Sequence, residues 1–307
     1  MTPVVAVVLL AIGVLAWLIA TPLWRARRRA AHMARPLAPG AVAAVDRNVP
    51  AVRNLPPELR ARLESLMNAF LAEKQFIGCN GLVVSDEIRA TIAALACLLV
   101  LGRRGHYDEL HSILVYPAAF WVEDEVEDEA GVVEQRRRVL SGEAWDSSRI
   151  ILSWDDVLEA AHAPGEGYNV ALHEFAHYLD AEGLGLPSPP LPPSRERSPA
   201  GRVRAVADWA EGLAVEFQSL LDAVDRGEYT FLDPYAAEDE AEFFAVATED
   251  FFERPVELRA AHPRLYALLQ EFYALDPAAW GARRGSSGGS GGEVLARDGG
   301  RDVRAGG

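Results

Sequence analysis

Apolar positions recur along this chain in several rhythms, and each rhythm predicts a different element. From Val4 to Trp24 the run is apolar and uncharged, long enough to cross a bilayer as one helix. Leu59, Leu63, Leu66, Phe70 and Leu71 repeat at helical spacing and predict an amphipathic helix. Ile88 to Leu101 is apolar almost throughout and should be a helix in the core. Ser85-Asp86-Glu87 offers it a cap and negative charge at the start, and Gly102 closes it. Ser112 to Tyr116, stopped by Pro117, has the β-branched composition of a strand, with weaker strands expected over Phe120–Val122 and Val132–Leu140 and another over Arg149–Trp154. Helical spacing returns in Val170–Leu179, Ala205–Asp222 and Ala241–Phe252.

The stretches between these elements predict the domain organisation. Arg25, Arg27, Arg28, Arg29 and Arg35 follow the first apolar run. A cleaved signal peptide would carry its positive charges ahead of the apolar core and a small-residue cleavage site behind it, so the pattern favours a retained anchor. Positive flanks stay on the cytoplasmic side, which places everything after the anchor at the cytoplasmic face of the inner membrane. Residues 35–54 are rich in Ala, Pro and Val without clear period and read as a juxtamembrane linker. Phe76 to Leu82 reads as a glycine-bearing turn, Glu123 to Glu129 as a solvated hairpin tip, and Pro187 to Pro199 as an exposed loop. Within the Gly/Ser/Arg tail, Gly285-Ser286-Ser287-Gly288-Gly289-Ser290-Gly291-Gly292 has no apolar surface to bury. The expected division is an anchor over 1–24, a linker over 25–54, a folded domain over 55–280 and a disordered tail over 281–307. The fold class expected is α+β, helix-rich, with a small sheet ahead of the helix that begins near Val170. An edge strand of that sheet, most simply within 141–154, could hold an extended peptide by its main chain.

That helix carries the chemistry. At about 100° per residue, His173, His177 and Asp180 share one face, while Leu172, Phe175, Ala176 and Leu179 form an adjacent apolar stripe. Two imidazoles at i and i+4 can converge on one metal. Glu174 stands beside that metal instead of on it, where a carboxylate can take a proton from an attacking water. This is the HExxH arrangement of zinc hydrolases, and the bland alternative is an exposed helix with solvated His and Glu. The apolar surroundings favour burial, and a buried carboxylate beside two imidazoles without a partner would cost several kcal/mol that a dication removes.

Composition narrows the partners. A formal net charge of −15 argues against a nucleic-acid surface, which needs a basic stripe. Cys79 and Cys97 lack both paired spacing and a disulfide framework, so they read as buried thiols in a reducing compartment.

A catalytic zinc needs a third protein ligand. His262 lies far downstream, before a proline, and Asp180 suits a bond to an imidazole better than direct ligation. Glu242 is the stronger donor, because an interior carboxylate in the apolar helix Ala241–Phe252 needs a reason. Glu249, two turns further along the same face, is the alternative ligand or a supporting group.

Four motifs in order carry a resemblance: Leu140-Ser141-Gly142-Glu143-Ala144-Trp145, Leu152-Ser153-Trp154-Asp155-Asp156-Val157-Leu158, His173-Glu174-Phe175-Ala176-His177, and Asp233-Pro234-Tyr235 followed by Ala241-Glu242-Phe243-Phe244-Ala245-Val246. Over roughly Leu55 to Trp280 the chain resembles the Mlc titration factor A family of zinc peptidases. The resemblance implies a gluzincin-like domain with His173, His177 and Glu242 as zinc ligands, Glu174 as general base and Tyr235 near the reacting carbonyl. It also implies aminopeptidase-type activity and binding of the Mlc repressor. A phenol seven residues before the third ligand could donate a hydrogen bond to a developing oxyanion, although Tyr235 alone would read as a core tyrosine. The apolar N-terminal run, the Pro-rich segment after Asp180 and the tail after Arg284 set the chain apart from the best-known soluble members. The resulting expectation is a membrane-anchored zinc metallopeptidase acting on a peptide or protein substrate. Its rival is a metal-containing binding protein that sequesters a transcriptional regulator such as the Mlc repressor.

Overall fold

The computed structural model describes residues 3–103, 106–118, 120–127, 133–140, 142–146, 148–182 and 199–280. Helix α1 (Pro3–Met33) opens the chain, and its stretch Leu10–Met33 is long and apolar enough to cross a membrane by length and composition. Its apolar side chains, such as Leu10, Trp17 and Trp24, are exposed. Its last turns behave differently, because they dock on the rest of the protein. Arg29 pairs with Glu73 at 2.8 Å and with Asp108 at 2.6 Å, and Ser65 Oγ donates to the carbonyl of Met33 at 3.0 Å.

The segment 25–54 departs from the expected linker. After α1 it forms helix α2 (Pro39–Asn48) and a 3₁₀ turn (Pro50–Asn54), each begun by a proline, whose fixed φ suits a first helical position. Ala41, Ala44, Val45, Val49 and Val52 are buried, and Asn48 Nδ2 donates to Glu87 Oε1 and Thr91 Oγ1, both at 3.0 Å. The helical period is present in this segment but lasts less than three turns, too short to stand out from its alanine-rich surroundings.

Helix α3 (Pro57–Glu73) leads to strand β1 (Gln75–Gly78), and helix α4 (Asp86–Leu99) follows. Ser85 caps α4 as expected, accepting from the Ile88 N–H at 3.3 Å. From Ala90 to Leu99 every α4 side chain is buried, and α4 packs against α2 and α3. Each large aliphatic side chain so buried contributes about 1.5–3 kcal/mol, which makes α4 the centre of the core. Gly102 lies past the helix end and serves a close approach, since a Cβ there would meet the Tyr273 carbonyl at 2.2 Å.

Strands β2 (Ser112–Tyr116), β5 (Gly142–Asp146) and β6 (Arg149–Ser153) join β1 in one sheet of order β1-β2-β6-β5. The first three are parallel, with Ile113 opposite Ile150 and Val115 opposite Leu152, and β5 runs antiparallel along β6. β5 therefore forms one edge, within the segment expected to do so. β1 forms the other edge where a turn was expected; it has only four residues, mostly exposed, and no alternation to announce it. Strands β3 (Phe120–Glu127) and β4 (Val133–Leu140) make a separate antiparallel pair. The acidic run expected at its tip starts inside β3, with Glu123 opposite Arg137 and Asp124 opposite Arg136. Residues 128–132 lie outside the described residues.

Helix α5 (Trp154–His162) is followed by α6 (Val170–Glu182), α7 (Pro199–Asp225), a 3₁₀ turn (Pro234–Ala237), α8 (Glu240–Glu253), α9 (Pro255–Ala261) and α10 (Pro263–Tyr273). α6 packs against α4, α5, α8 and the β5–β6 side of the sheet. The fold is thus helix-rich with a small sheet, as expected. The proline-rich stretch after Asp180 and the tail fall outside the described residues, except that Pro199 begins α7. Cys79 and Cys97 are both free thiols; Cys97 is buried in α4 as expected, whereas Cys79, just past the edge strand β1, is only partly buried.

Candidate metal centre

Local rules place the first two side chains. Asn169 caps α6, its Oδ1 accepting from the Leu172 N–H at 3.1 Å, and such a cap contributes about 1 kcal/mol. With α6 begun there, Leu172, Phe175, Ala176 and Leu179 are buried in the core, so His173 and His177 lie on the adjacent face, toward α8. Asp239 caps α8 by accepting from the N–H groups of Ala241 and Glu242, both at 2.9 Å, which fixes Glu242 in the first turn.

The two helices bring three ligand atoms together. Nε2 of His173 and Nε2 of His177 lie 3.0 Å apart, and Glu242 Oε2 is 3.0 Å from the first and 3.4 Å from the second. The set spans no more than 4.8 Å. On the far side of the ring, Nδ1 of His173 lies 2.8 Å from Glu249 Oε1. When Glu249 is ionised its carboxylate only accepts, so Nδ1 then carries the hydrogen and the Nε2 lone pair of a neutral His173 points into the cluster. Glu242 Oε2 is buried and, among the described residues, has no partner with hydrogen-bond geometry. Lone pairs converging in a buried place are the donor set that a divalent cation satisfies, and imidazole with carboxylate suits zinc.

The titration of these groups has the same physical origin. Burial pulls the His173 imidazole down, but Glu242 and Glu249 outweigh it and hold its pKa up at about 10. Burial pushes the Glu242 carboxyl up, and the two imidazoles more than reverse this, leaving it well below the usual carboxylate range. Glu249 is held above that range by burial, despite the opposing pull of His173 and of the Asn169 N–H. The cluster therefore favours a positive charge among its three donor atoms, and these could hold a metal ion.

The remaining expected residues fall as follows. Glu174 is buried next to His173 in the chain and adds to the field that raises the pKa of that imidazole. Tyr235, on the 3₁₀ turn before α8, is 42% exposed, with its ring centroid 6.3 Å from that of His173. Among the described residues Asp180 makes no hydrogen bond to an imidazole; Glu249 makes such a bond, to His173. Burial leaves the Asp180 carboxyl above its ordinary range, although His177 pulls it down.

Two features have no counterpart in the expectations. Asn169 is clamped to α8, its N–H donating to Glu249 Oε2 and its Nδ2 donating to Glu253 Oε1 at 3.0 Å. Its signal in the sequence is a capping residue four positions before His173, on the same face. At the same C-terminal end of α8, Arg254 pairs with the buried Asp250 at 2.6 Å and lies 4.3 Å over the Phe231 ring. Gly167, at φ +82°, packs so closely on this pair that a Cβ would meet Asp250 Oδ1 at 2.4 Å.

Comparison with known proteins bears on the same region. The family model described as glucose-regulated metallo-peptidase M90 matches residues 23–274. An uncharacterized protein of Synechocystis sp. is 38% identical over 280 residues, covering 90% of this chain and 98% of its own. Mlc titration factor A of Pectobacterium atrosepticum is 36% identical over 239 residues, covering 76% of this chain and 85% of its own. The Klebsiella pneumoniae protein of that name is 36% identical over 233 residues, covering 75% and 84%.

Proposed function

Because this chain belongs to the glucose-regulated metallo-peptidase M90 family, we propose that it is a zinc-dependent peptidase whose metal is held by His173, His177 and Glu242. The observation that carries this reading is the convergence of two imidazole nitrogens and one buried carboxylate oxygen, with Glu174 beside them. A zinc ion bound there would supply a Lewis acid that polarises the scissile carbonyl and brings the pKa of an attacking water down to about 7. The carboxylate of Glu174 takes the proton from that water and delivers it to the leaving amine. Glu249, accepting from Nδ1 of His173, holds the ring in the tautomer that leaves Nε2 bare. Tyr235 donates its phenolic hydrogen to the carbonyl oxygen as charge develops on it. The outer edge of β5, the last of the described strands and beside α6, holds the substrate's main chain in an extended form. A gluzincin-like site of this kind suits aminopeptidase-type cleavage.

The test measures zinc content and cleavage of a peptide panel in the parent and in Glu174→Gln. The variant should retain zinc and lose hydrolysis, because it removes the base and no ligand. Equal cleavage by both proteins would sink the mechanism.

The names of two relatives favour a second reading, in which the chain also binds a transcriptional regulator of the Mlc kind. Retention of a purified repressor of that type on immobilised Glu174→Gln protein would support it, and no retention would remove it. The apolar length of α1 and the arginines behind it support a single-pass anchor with the catalytic domain facing the cytoplasm.

A further inference from the structure

Helices α6 and α8 run antiparallel, because Glu242, Glu249 and Glu253, in chain order, meet His177, His173 and Asn169 in reverse order. Along α6 these partners stand four residues apart, so they form one face on which Asn169 is the rung beyond the histidines. Asn169 is buried, and all of its polar groups are engaged. Its N–H donates to Glu249, its Nδ2 donates to Glu253, its Oδ1 accepts from Leu172, and its carbonyl accepts from the His173 N–H at 3.0 Å. Capping α6 needs only the Oδ1 acceptor, which serine or aspartate supplies equally well. The bond from Nδ2 to Glu253 is therefore surplus to capping and ties the start of α6 to the last turn of α8.

We propose that Asn169 and Glu253 are a positioning pair that fixes the sliding register of α6 against α8, and so sets how closely the two imidazoles approach Glu242. A slip of one residue moves a helix about 1.5 Å along its axis. That is half of the 3.0 Å between His173 Nε2 and Glu242 Oε2, and a metal's donors tolerate deviations of only about 0.2 Å. Glu249 shares its carboxylate between the Asn169 N–H and His173 Nδ1, so any loosening at the first reaches the imidazole through one side chain. The inference rests on the metal-centre reading above, and neither member of the pair touches the reacting atoms.

Asn169→Asp is the informative change. It keeps the size and the capping oxygen, and it replaces the donor with an acceptor facing Glu253. Glu253→Gln in the same chain restores a hydrogen bond with the roles reversed. The readouts are zinc affinity, by competition with a chromogenic chelator, and the melting temperature of the metal-free full chain. Zinc affinity should fall about tenfold or more in Asn169→Asp and recover in the double variant. Asn169→Ser, which loses the donor without adding a charge, should weaken zinc in the same direction and serves if Asn169→Asp does not fold. A lowered melting temperature with unchanged zinc affinity would make the role purely structural and overturn the proposal, as would a loss that Glu253→Gln fails to restore. Undiminished zinc binding by His173→Ala would instead show that the metal centre itself is wrongly assigned, an outcome distinct from failure of the positioning pair.

Discussion

At His173 the two ring nitrogens have opposite duties, one donating to Glu249 and the other facing His177 and Glu242. The pKa of about 10 in the metal-free protein lies above the ordinary value of 6.5. A histidine raised in this way stabilises the fold fully below about pH 6.5, and that contribution is lost as the pH rises through about 10. At pH 7 the metal-free ring is protonated, whereas a metal requires its Nε2 bare. Zinc binding at pH 7 should therefore release about one proton from this site, and calorimetry in buffers of different ionisation enthalpy measures it. Release that stays unchanged in His173→Gln would remove His173 from the ligand set. The pair His173 and His177 was legible in the sequence because i,i+4 geometry is local. Glu242 was preferred to Glu249 there as the carboxylate needing a reason in an apolar helix, but both lie on one face of α8, and the way α8 packs on α6 decides which carboxylate meets Nε2 and which meets Nδ1.

At the scale of elements, long runs with a helical period were read correctly as α3, α4, α6, α7 and α8, and two short β-branched runs as β2 and β6. α2 and β1 were missed because a short period cannot be told from its surroundings, and because an exposed edge strand has no buried face to mark it. The anchoring of the loop before α6 was also invisible, because it depends on Gly167 meeting Asp250 and Arg254, about 80 residues apart in the chain and adjacent only after packing. Burial pushes the Asp250 carboxyl up to about 7 even with Arg254 pulling it back. An acid raised in this way makes folding less favourable as the pH rises from about 4 to about 7, because the unfolded chain ionises first. Arg254→Met removes the compensating charge, which for a buried pair costs about 3–5 kcal/mol. Denaturant unfolding should show a larger loss at pH 8, where the stranded carboxyl must ionise, than at pH 5, where it keeps its proton. Equal losses at both pH values would mean that Asp250 is not the group that Arg254 compensates.

On the scale of the whole molecule, sidedness decides which substrates are available. Reporter fusions after Trp280 read it directly: a reporter active only in the cytoplasm should work there, and one active only outside should stay silent. The opposite pattern would reverse the proposed orientation. α1 does not stop where its apolar run ends. The same helix continues through Met33, and its end is bolted to α3 through Arg29, Glu73 and Ser65. For an anchored protein, this is a stalk and not a tether. The nine residues from Arg25 to Met33 rise about 14 Å as helix, and a rigid spacer fixes height where a flexible one only limits it. The metal centre would then patrol a shell at constant altitude above the bilayer. Its effective concentration would be high for polypeptide tails that rise to that altitude, and near zero for segments lying flat on the lipid.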